Sequence, residues 1–326
     1  MVYTYICANC TVMQKLLIFL TLFFLFVKHT AQIPYVVSGK IDRITNFKSQ
    51  FVTPRNVDIW LPENYSMSKK YAVLYMQDGQ MLYDPETTWN NQSWNVDDVI
   101  SCLIKNGKIQ STIVVGIWND SQFRHFDYFP QKPFESLTAT EKDTVQFQLK
   151  KSGRSDQVFA PNSDNYLKFL VKELKPFIDK KYSTYKDRSH TFIAGSSMGG
   201  LISMYAICEY PDVFGGAACL STHWPGTFTL DHNPFPDSIL QYLGKNLPDP
   251  KNHKIYFDCG DQTLDALYPD IQKKADRIMV QAGFTDANWK TLYFQGENHS
   301  EEAWSIKARD SSGVSAEEKI IYFTIK

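Results

Sequence analysis

The chain has 326 residues, of which 43% are hydrophobic, and its formal net charge is −1. This length allows one large domain or two small ones, with enough apolar residues for a sizeable core. Acidic and basic residues are mixed along the chain, so neither a nucleic-acid-binding surface nor a polybasic membrane patch is expected.

A secretory signal is predicted near the start of the chain. In "MQKLLIFLTLFFLFVKHTAQ", which begins at Met13, Lys15 precedes an apolar run over residues 16–27, and a short polar stretch ends at Ala31. This is the layout of a signal peptide. The run is shorter than the roughly 20 residues that span a bilayer, so an uncleaved anchor is the lesser alternative.

We therefore expect residues 1–31 to be a signal peptide, with the true start possible at Met13, and residues 32–326 to be one exported domain. A secreted or periplasmic location follows, without stable membrane insertion after cleavage. The four cysteines of this domain are widely scattered and predict neither a metal site nor a dense disulfide framework. We expect these four residues to be small, buried and apolar: Cys102, Cys208, Cys219 and Cys259. The alternative is one disulfide among them.

Strand and helix patterns alternate along the domain. Buried runs predict strands at residues 55–62, 71–79, 111–118, 190–196, 214–221, 253–260 and 289–296, and helical spacing predicts helices at 164–182, 198–210 and 268–283. This alternation is typical of an α/β fold with a mostly parallel sheet covered by helices on both faces. Residues 34–62 are expected to form an antiparallel edge.

Residues 119–162 have no clear period and contain "WNDSQFRHFDYFPQKPF". Loops of this length are uncommon unless they serve a function. Loops at the carboxyl ends of parallel strands line the ligand crevice of an open α/β sheet. We expect the segment to form a wall or lid of the site, the alternative being a surface excursion without a role.

The stretch "FIAGSSMGGL", residues 192–201, places G-S-S-M-G between a predicted strand and a predicted helix. This is the context of the G-x-S-x-G nucleophile elbow, with Ser197 as the nucleophile. Only small residues fit beside such a sharp turn, which explains Gly195 and Gly199. The backbone N–H of Met198 is then a candidate oxyanion donor. The alternative is a turn that is merely built from small residues.

A serine nucleophile needs a base and an acid, which this architecture places later in the chain. His299, in "FQGENHSEEAW" after the last strand, is the predicted base. His223, in "STHW", is the alternative and could instead line the pocket. In "YFDCGDQTLDALY" Asp258 lies within the strand, and spacing alone leaves Asp261 and Asp265 open as the acid.

A second oxyanion donor is expected after the early buried strand. The sequence "LYMQDGQMLYD" places Gly79 where the backbone can turn into the site, and the N–H of Gln80 is the candidate donor. An ordinary turn at the end of the strand is the alternative.

Together these segments resemble the "putative esterase" branch of the α/β-hydrolases, which includes esterase D, feruloyl and acetyl-xylan esterases, enterochelin esterases and mycolyltransferases. The matching segments spread over residues 55–305, and "FIAGSSMGGLISMYAICEYPDVFGGAACLS" is the most specific. The resemblance implies Ser197 as nucleophile, His299 as base, and Gln80 and Met198 as oxyanion donors. It favours Asp265 as the acid, through the pattern G-T-x-T-L-D-x-x-Y. The end of the chain departs from the family, because "IIYFTIK" predicts a strand where a closing helix is usual.

The sequence thus predicts a secreted serine carboxylic-ester hydrolase that works through an acyl-enzyme, without metal or cofactor. Its partner would be a small-molecule or oligosaccharide ester: a carbohydrate acyl or feruloyl ester, or a siderophore-type ester. Acyl transfer, or thioester hydrolysis of the S-formylglutathione type, is the alternative on the same triad, and a non-catalytic binding module is the rival from another class. The predicted substrate-binding residues are Trp89, Trp94, Arg124, His125, Tyr128 and His223.

Overall fold

Eight strands form a single sheet in the order β1-β2-β4-β3-β5-β6-β7-β8. The computed structural model describes residues 32–307. The strands are β1 Lys40–Phe47, β2 Arg55–Leu61, β3 Ala72–Met76, β4 Thr112–Ile117, β5 Thr191–Ser196, β6 Gly216–Leu220, β7 Lys254–Cys259 and β8 Trp289–Tyr293.

The sheet is parallel from β4 through β3 to β8, whereas β1 and β2 pair antiparallel at one edge. All residues of β3, β4, β5 and β6 are buried. Because successive side chains of a strand point to opposite faces, the centre of the sheet is covered on both faces. The predicted α/β class and its antiparallel edge are confirmed.

The helices connect the strands and flank the sheet. They are α1 Val96–Lys105, α2 Arg124–Tyr128, α3 Gln131–Glu135, α4 Ala139–Lys151, α5 Ser163–Lys168, α6 Lys175–Lys181, α7 Met198–Glu209, α8 Phe235–Asn246, α9 Pro269–Gln281 and α10 Glu301–Lys307. A π-helical segment, Phe169–Leu174, joins α5 to α6. The predicted helix over 164–182 is therefore one continuous helical stretch with a wider turn in its middle.

Residues 119–162, for which the sequence shows no clear period, contain helices α2, α3 and α4. Five residues of this segment line the cleft at the carboxyl edge of the sheet, as expected of a wall of the site: Asn119, Ser121, Arg124, His125 and Arg154. Helix α4 buries only Val145 and Leu149, so it has almost no apolar periodicity to detect. Its start is fixed instead by a capping box, in which the Thr138 and Glu141 side chains each accept a hydrogen bond from the other residue's backbone N–H. Helices α1 and α8 were likewise not predicted from the sequence.

The carboxyl ends of the parallel strands meet at one edge of the sheet. The residues that follow β3, β5, β6, β7 and β8 therefore come together there, although they are far apart in sequence. This edge holds the predicted site.

Two sequence predictions fall outside the described residues: the signal peptide over residues 1–31 and the strand at the end of the chain. Within residues 32–307, no helix has the length and apolar character needed to cross a membrane.

The junction of β5 and α7 depends on close backbone packing at Gly195. A Cβ atom built there would lie 2.6 Å from the carbonyl carbon of Gly199 and 2.8 Å from Cγ of Gln77. Only a residue without a side chain allows this approach, so the first glycine of the elbow is required by contact.

We expect Gly195→Ala to lower the free energy of unfolding by about 1–3 kcal/mol, because the added methyl group overpacks against backbone. The matched control is Gly244→Ala, at an exposed position of helix α8, where the nearest atom to a new Cβ is 3.6 Å away. That change should raise stability by about 0.5–1 kcal/mol, through helix propensity. Urea unfolding followed by tryptophan fluorescence measures both, and equal effects would contradict the packing argument.

Candidate active site

A cleft of about 510 Å³ opens at the carboxyl edge of the sheet. This volume lies within the range of small-molecule sites. Nine of the eleven residues predicted for the site line the cleft: Gln80, Trp89, Trp94, Arg124, His125, Ser197, Met198, His223 and His299.

Ser197 lies between the end of β5 and the start of α7. Its backbone has φ 57° and ψ −123°, a conformation that a non-glycine residue rarely adopts. The Ser197 N–H donates to the carbonyl of Leu220 at 2.9 Å, and its own carbonyl accepts from the N–H of His223 at 3.1 Å. These two bonds to the segment after β6 hold the strained turn in place.

Asp265 and His299 form a direct pair. Nδ1 of His299 lies 2.5 Å from Oδ1 of Asp265, and the carboxylate is fully buried. Oδ2 of Asp265 accepts from the Gly260 N–H at 2.6 Å and from the Ser221 hydroxyl at 2.7 Å. These donors compensate the carboxylate for its loss of water.

Sequence spacing left both Asp261 and Asp265 as candidates for the acid. The fold of the loop after β7 gives these two carboxylates different hydrogen-bond partners. Asp261 is half-buried and accepts hydrogen bonds from the Gln262 side chain and the Gly296 N–H. Asp258 lies inside β7, where it accepts from the Ser221 N–H at 3.0 Å. Of the three, Asp265 is the one whose hydrogen bond to His299 the structure records.

His223 is buried and has a different partner. Its Nδ1 lies 2.7 Å from the hydroxyl oxygen of Tyr268. Burial holds the pKa of His223 well below 6.5, so its imidazole is neutral near pH 7. His223 therefore lies beside the serine turn but is paired with a phenol rather than with a carboxylate.

The turn after β3 brings the Gln80 backbone to the cleft. A Cβ on Gly79 would lie 2.4 Å from the carbonyl carbon of Gly116, so the turn lies directly against β4. Gln80 and Met198 each lie in the first turn of a helical segment. Backbone N–H groups at such positions have no acceptor within the helix.

Asp78 fixes this turn through charge. It has φ 55°, and its carboxylate accepts two hydrogen bonds from Arg124, at 2.8 and 2.6 Å, and one from Asn119 at 2.7 Å. Burial by itself would lower the pKa of Arg124, but the Asp78 carboxylate outweighs it and raises that pKa above its ordinary value. Arg124 borders the cleft, but its guanidinium is paired with the Asp78 carboxylate.

Aromatic side chains form one side of the cleft. The ring of Trp304 lies 5.5 Å from that of Trp94 and 5.0 Å, edge to face, from that of His299. Trp89 is 83% exposed, so it lies at the rim. His125 also borders the cleft, but its Nε2 donates to the Gly226 carbonyl and burial lowers its pKa to about 4.

Tyr128, predicted as part of the wall, is a correction. It is fully buried at the end of α2, its ring packs on Tyr166, and its hydroxyl accepts a hydrogen bond from the Asp78 N–H at 3.3 Å. Arg124, one turn earlier on the same face of α2, borders the cleft and lies over the Tyr128 ring, with its guanidinium carbon 5.3 Å from the ring centroid, so the ring is covered on that side. Tyr128 thereby supports the turn after β3 from the core side.

Several site residues were not recognised in the sequence. Ser221 and Trp304 support the Asp265 carboxylate, since the Ser221 hydroxyl donates to Asp265 and itself accepts from the Trp304 Nε1–H at 2.9 Å. Tyr268 contacts His223, and Arg154 borders the cleft with its guanidinium over the Phe228 ring. Trp304 belongs to "GENHSEEAW" and Tyr268 ends "TLDALY", so both lay in matched segments without a role assigned.

The described residues contain no cluster of three or more His, Cys, Asp or Glu side chains that could hold a metal ion. Of the four cysteines, Cys208, Cys219 and Cys259 are buried, as expected, whereas Cys102 is exposed on α1.

Comparisons with known proteins identify the family of the chain. Residues 49–308 match the family described as "Putative esterase". An endo-1,4-beta-xylanase/feruloyl esterase from Xylanibacter ruminicola is 26% identical over 275 residues, which cover 82% of this chain and 30% of that protein. The chain therefore spans less than a third of that relative. An uncharacterized Bacillus subtilis protein is 21% identical over 234 residues, 72% of this chain and 78% of that one.

Solved structures share the fold. A ferulic acid esterase from Anaeromyces mucronatus in complex with ferulic acid has a TM-score of 0.57 at 20% identity, covering 86% of this chain and 91% of that chain. The enterobactin esterase of Shigella flexneri has a TM-score of 0.58 at 16% identity, covering 89% and 62%. The chain belongs to the "Putative esterase" family and has the α/β-hydrolase fold of an ester-hydrolysing enzyme.

Proposed function

We propose that the chain is a serine carboxylic-ester hydrolase with Ser197 as nucleophile, His299 as base and Asp265 as acid. The observation that carries the proposal is the 2.5 Å pair between Asp265 and His299, in a cleft that Ser197 enters from a strained turn. A buried carboxylate bonded to Nδ1 fixes the imidazole tautomer in which Nε2 is free to accept a proton.

The reaction then has two halves. Oγ of Ser197 bonds to the ester carbonyl carbon and its proton passes to Nε2 of His299. The tetrahedral intermediate collapses with cleavage of the carbon–oxygen bond to the alcohol, which leaves with the proton from His299. Water next attacks the acyl-enzyme by the same route and releases the acid.

The developing oxyanion would be held by the backbone N–H groups of Gln80 and Met198. Both groups lie where a helical segment begins and both residues border the cleft, which supports this assignment. The Asp78–Arg124 pair would keep the Gln80 turn in register with Ser197, because three charge-assisted or polar hydrogen bonds restrain Asp78.

For the substrate we propose an acyl or feruloyl ester of a carbohydrate, with a siderophore-type ester as a second candidate. The aromatic side of the cleft, formed by Trp94 and Trp304, suits an aryl acyl group, and exposed Trp89 suits a sugar ring at the rim. The name of the Xylanibacter relative supports the first candidate and that of the Shigella structure the second. Acyl transfer or thioester hydrolysis would use the same three residues.

Ser197→Ala should abolish hydrolysis of every ester that the protein cleaves, because no other group forms the acyl-enzyme. The panel comprises short-acyl nitrophenyl esters, methyl ferulate, acetylated xylan and enterobactin, assayed by product release. Ser196→Ala, one residue earlier and at the end of β5, is the matched control and should keep most of the activity. Loss in Ser196→Ala with activity in Ser197→Ala would show that the nucleophile is misassigned.

Asp265→Asn should reduce turnover by about 10²–10⁴, because an amide no longer holds the required tautomer of His299. Asp261→Asn, in the same loop but with hydrogen bonds to Gln262 and Gly296 instead of His299, should keep most of the turnover. Steady-state kinetics with circular dichroism as a check of folding compares the two. The reverse ranking would make Asp261 the acid.

We also propose that the protein is exported, on the basis of the signal-like pattern between Met13 and Ala31. Mass spectrometry of the protein from the culture medium or periplasm should give a mature chain that begins near Gln32. Recovery of a membrane-bound form that keeps the apolar run would contradict this proposal and leave the catalytic one unaffected.

A further inference from the structure

Arg154 lies where two neighbouring spaces meet. It borders the active-site cleft and also an adjoining pocket of about 460 Å³. Ser121, Arg124 and His125 border both spaces as well, so the pocket extends the cleft on this side of the site. The proposed triad and oxyanion donors make no use of Arg154.

The end of helix α4 fixes the backbone of Arg154. The Gly153 N–H donates to the Lys150 carbonyl at 3.0 Å, and the Arg154 N–H donates to the Leu149 carbonyl at 2.9 Å. Gly153 itself has φ 68°. These are the features of a Schellman motif, in which a left-handed glycine closes the helix. Arg154 therefore leaves the helix at a position that two hydrogen bonds define.

An aromatic ring supports the Arg154 side chain. The guanidinium carbon lies 4.8 Å from the centroid of the Phe228 ring, within the range of cation–π attraction. The Phe228 ring packs in turn against the imidazoles of His125 and His223, with centroids 6.3 and 5.3 Å away. The guanidinium thus lies over a ring that two buried side chains hold in place.

Gln148 joins helix α4 to the segment that carries Phe228. Its Oε1 accepts from the Thr227 hydroxyl at 2.9 Å, and its Nε2 donates to the Asp231 carbonyl at 2.9 Å. Residues before and after Phe228 are therefore bonded to the helix that ends beside Arg154. This arrangement restricts the guanidinium before any ligand binds, which reduces the entropy that binding would cost.

The charge of Arg154 is not neutralised by another described residue. Its guanidinium is exposed and forms no ion pair with a carboxylate of the described part of the chain. Arg124, the neighbouring cation, is paired with Asp78. Burial lowers the pKa of His125 to about 4 and that of His223 well below 6.5, so both imidazoles are neutral near pH 7. Arg154 is therefore available to an anionic ligand.

A guanidinium presents a planar fork of N–H donors, which matches the two oxygens of a carboxylate. We propose that Arg154 is a specificity-determining residue, which binds a carboxylate on the substrate and favours anionic esters over neutral esters of similar size. This inference deepens the proposed function and rests on it. Two sources fit the chemistry: an acyl part derived from a dicarboxylic acid, and an alcohol part that is a sugar acid.

Two pairs of esters distinguish these sources. On the acyl side, the para-nitrophenyl half-ester of adipic acid is compared with para-nitrophenyl hexanoate, which has an acyl chain of the same length. On the alcohol side, meta-carboxyphenyl butyrate is compared with phenyl butyrate. For each pair, the selectivity is kcat/KM for the anionic ester divided by kcat/KM for the neutral ester, so differences in enzyme concentration cancel.

The wild type should prefer the anionic member of at least one pair. Arg154→Gln should lower that selectivity by about tenfold or more, because it removes charge-assisted hydrogen bonds to the carboxylate. Arg154→Lys keeps the charge without the planar fork and should retain part of the selectivity. The pair that responds shows whether the carboxylate belongs to the acyl or to the alcohol part.

Lys151→Gln is the matched control. Lys151 lies in the last turn of α4, is exposed and does not border the cleft, but its loss removes the same unit of charge from the same region. This variant should leave both selectivities nearly unchanged, because salt screens an exposed charge that does not touch the ligand. Equal losses in Lys151→Gln and Arg154→Gln would overturn the inference.

Two further results separate the inference from the proposed function. Hydrolysis by the wild type without a preference for either anionic ester, or with the same preference in Arg154→Gln, would overturn the inference and leave the function standing. A wild type that cleaves none of the four esters would contradict the proposed function, and the inference would fail with it.

Discussion

The site depends on the close approach between the end of β5 and the first turn of α7. Gly195 lies directly against the Gly199 carbonyl, and Ser197 between them adopts φ 57° and ψ −123°. Strained conformations of this kind persist only where the surroundings over-determine them. Here the hydrogen bonds of Ser197 to Leu220 and His223 supply that restraint, so the second serine of G-S-S-M-G is held at the cleft.

Two buried carboxylates organise the groups around the serine, and their partners differ. Asp78 is neutralised by Arg124 and restrains the turn that carries Gln80. Asp265 has neutral donors, Gly260 and Ser221, and directs its remaining oxygen to His299. In the proposed mechanism Asp78 restrains the turn that carries Gln80, whereas Asp265 stabilises the imidazolium of His299.

The sequence predicted the α/β sheet because its strands are continuous apolar runs. It predicted the turn at Ser197 because the G-S-S-M-G pattern between a strand and a helix is specific. The sheet, the position of Ser197 and the shortlist of acids were accessible in this way. Helix α4 was not, because only Val145 and Leu149 face the core. Tyr128 was assigned to the cleft for its residue type, although it is fully buried with the Arg124 guanidinium over its ring.

Contacts between distant segments were the least predictable part of the site. Spacing could not choose between Asp261 and Asp265, because that choice depends on how the loop after β7 folds onto His299. The Tyr268–His223 hydrogen bond joins residues that are 45 positions apart and leaves no periodic or motif signal. Such pairs become visible only when the ends of β5, β6, β7 and β8 are brought to one edge.

The assignment of Ser197 as nucleophile is best tested by locating the covalent adduct that a fluorophosphonate forms. The full-length protein is labelled, digested and analysed by tandem mass spectrometry, with His299→Ala as a parallel sample. The triad assignment predicts one adduct, on Ser197, which forms in the wild type and is strongly reduced in the His299 variant. Ester hydrolysis by a wild type that carries its adduct on another residue, or that carries none, would contradict it.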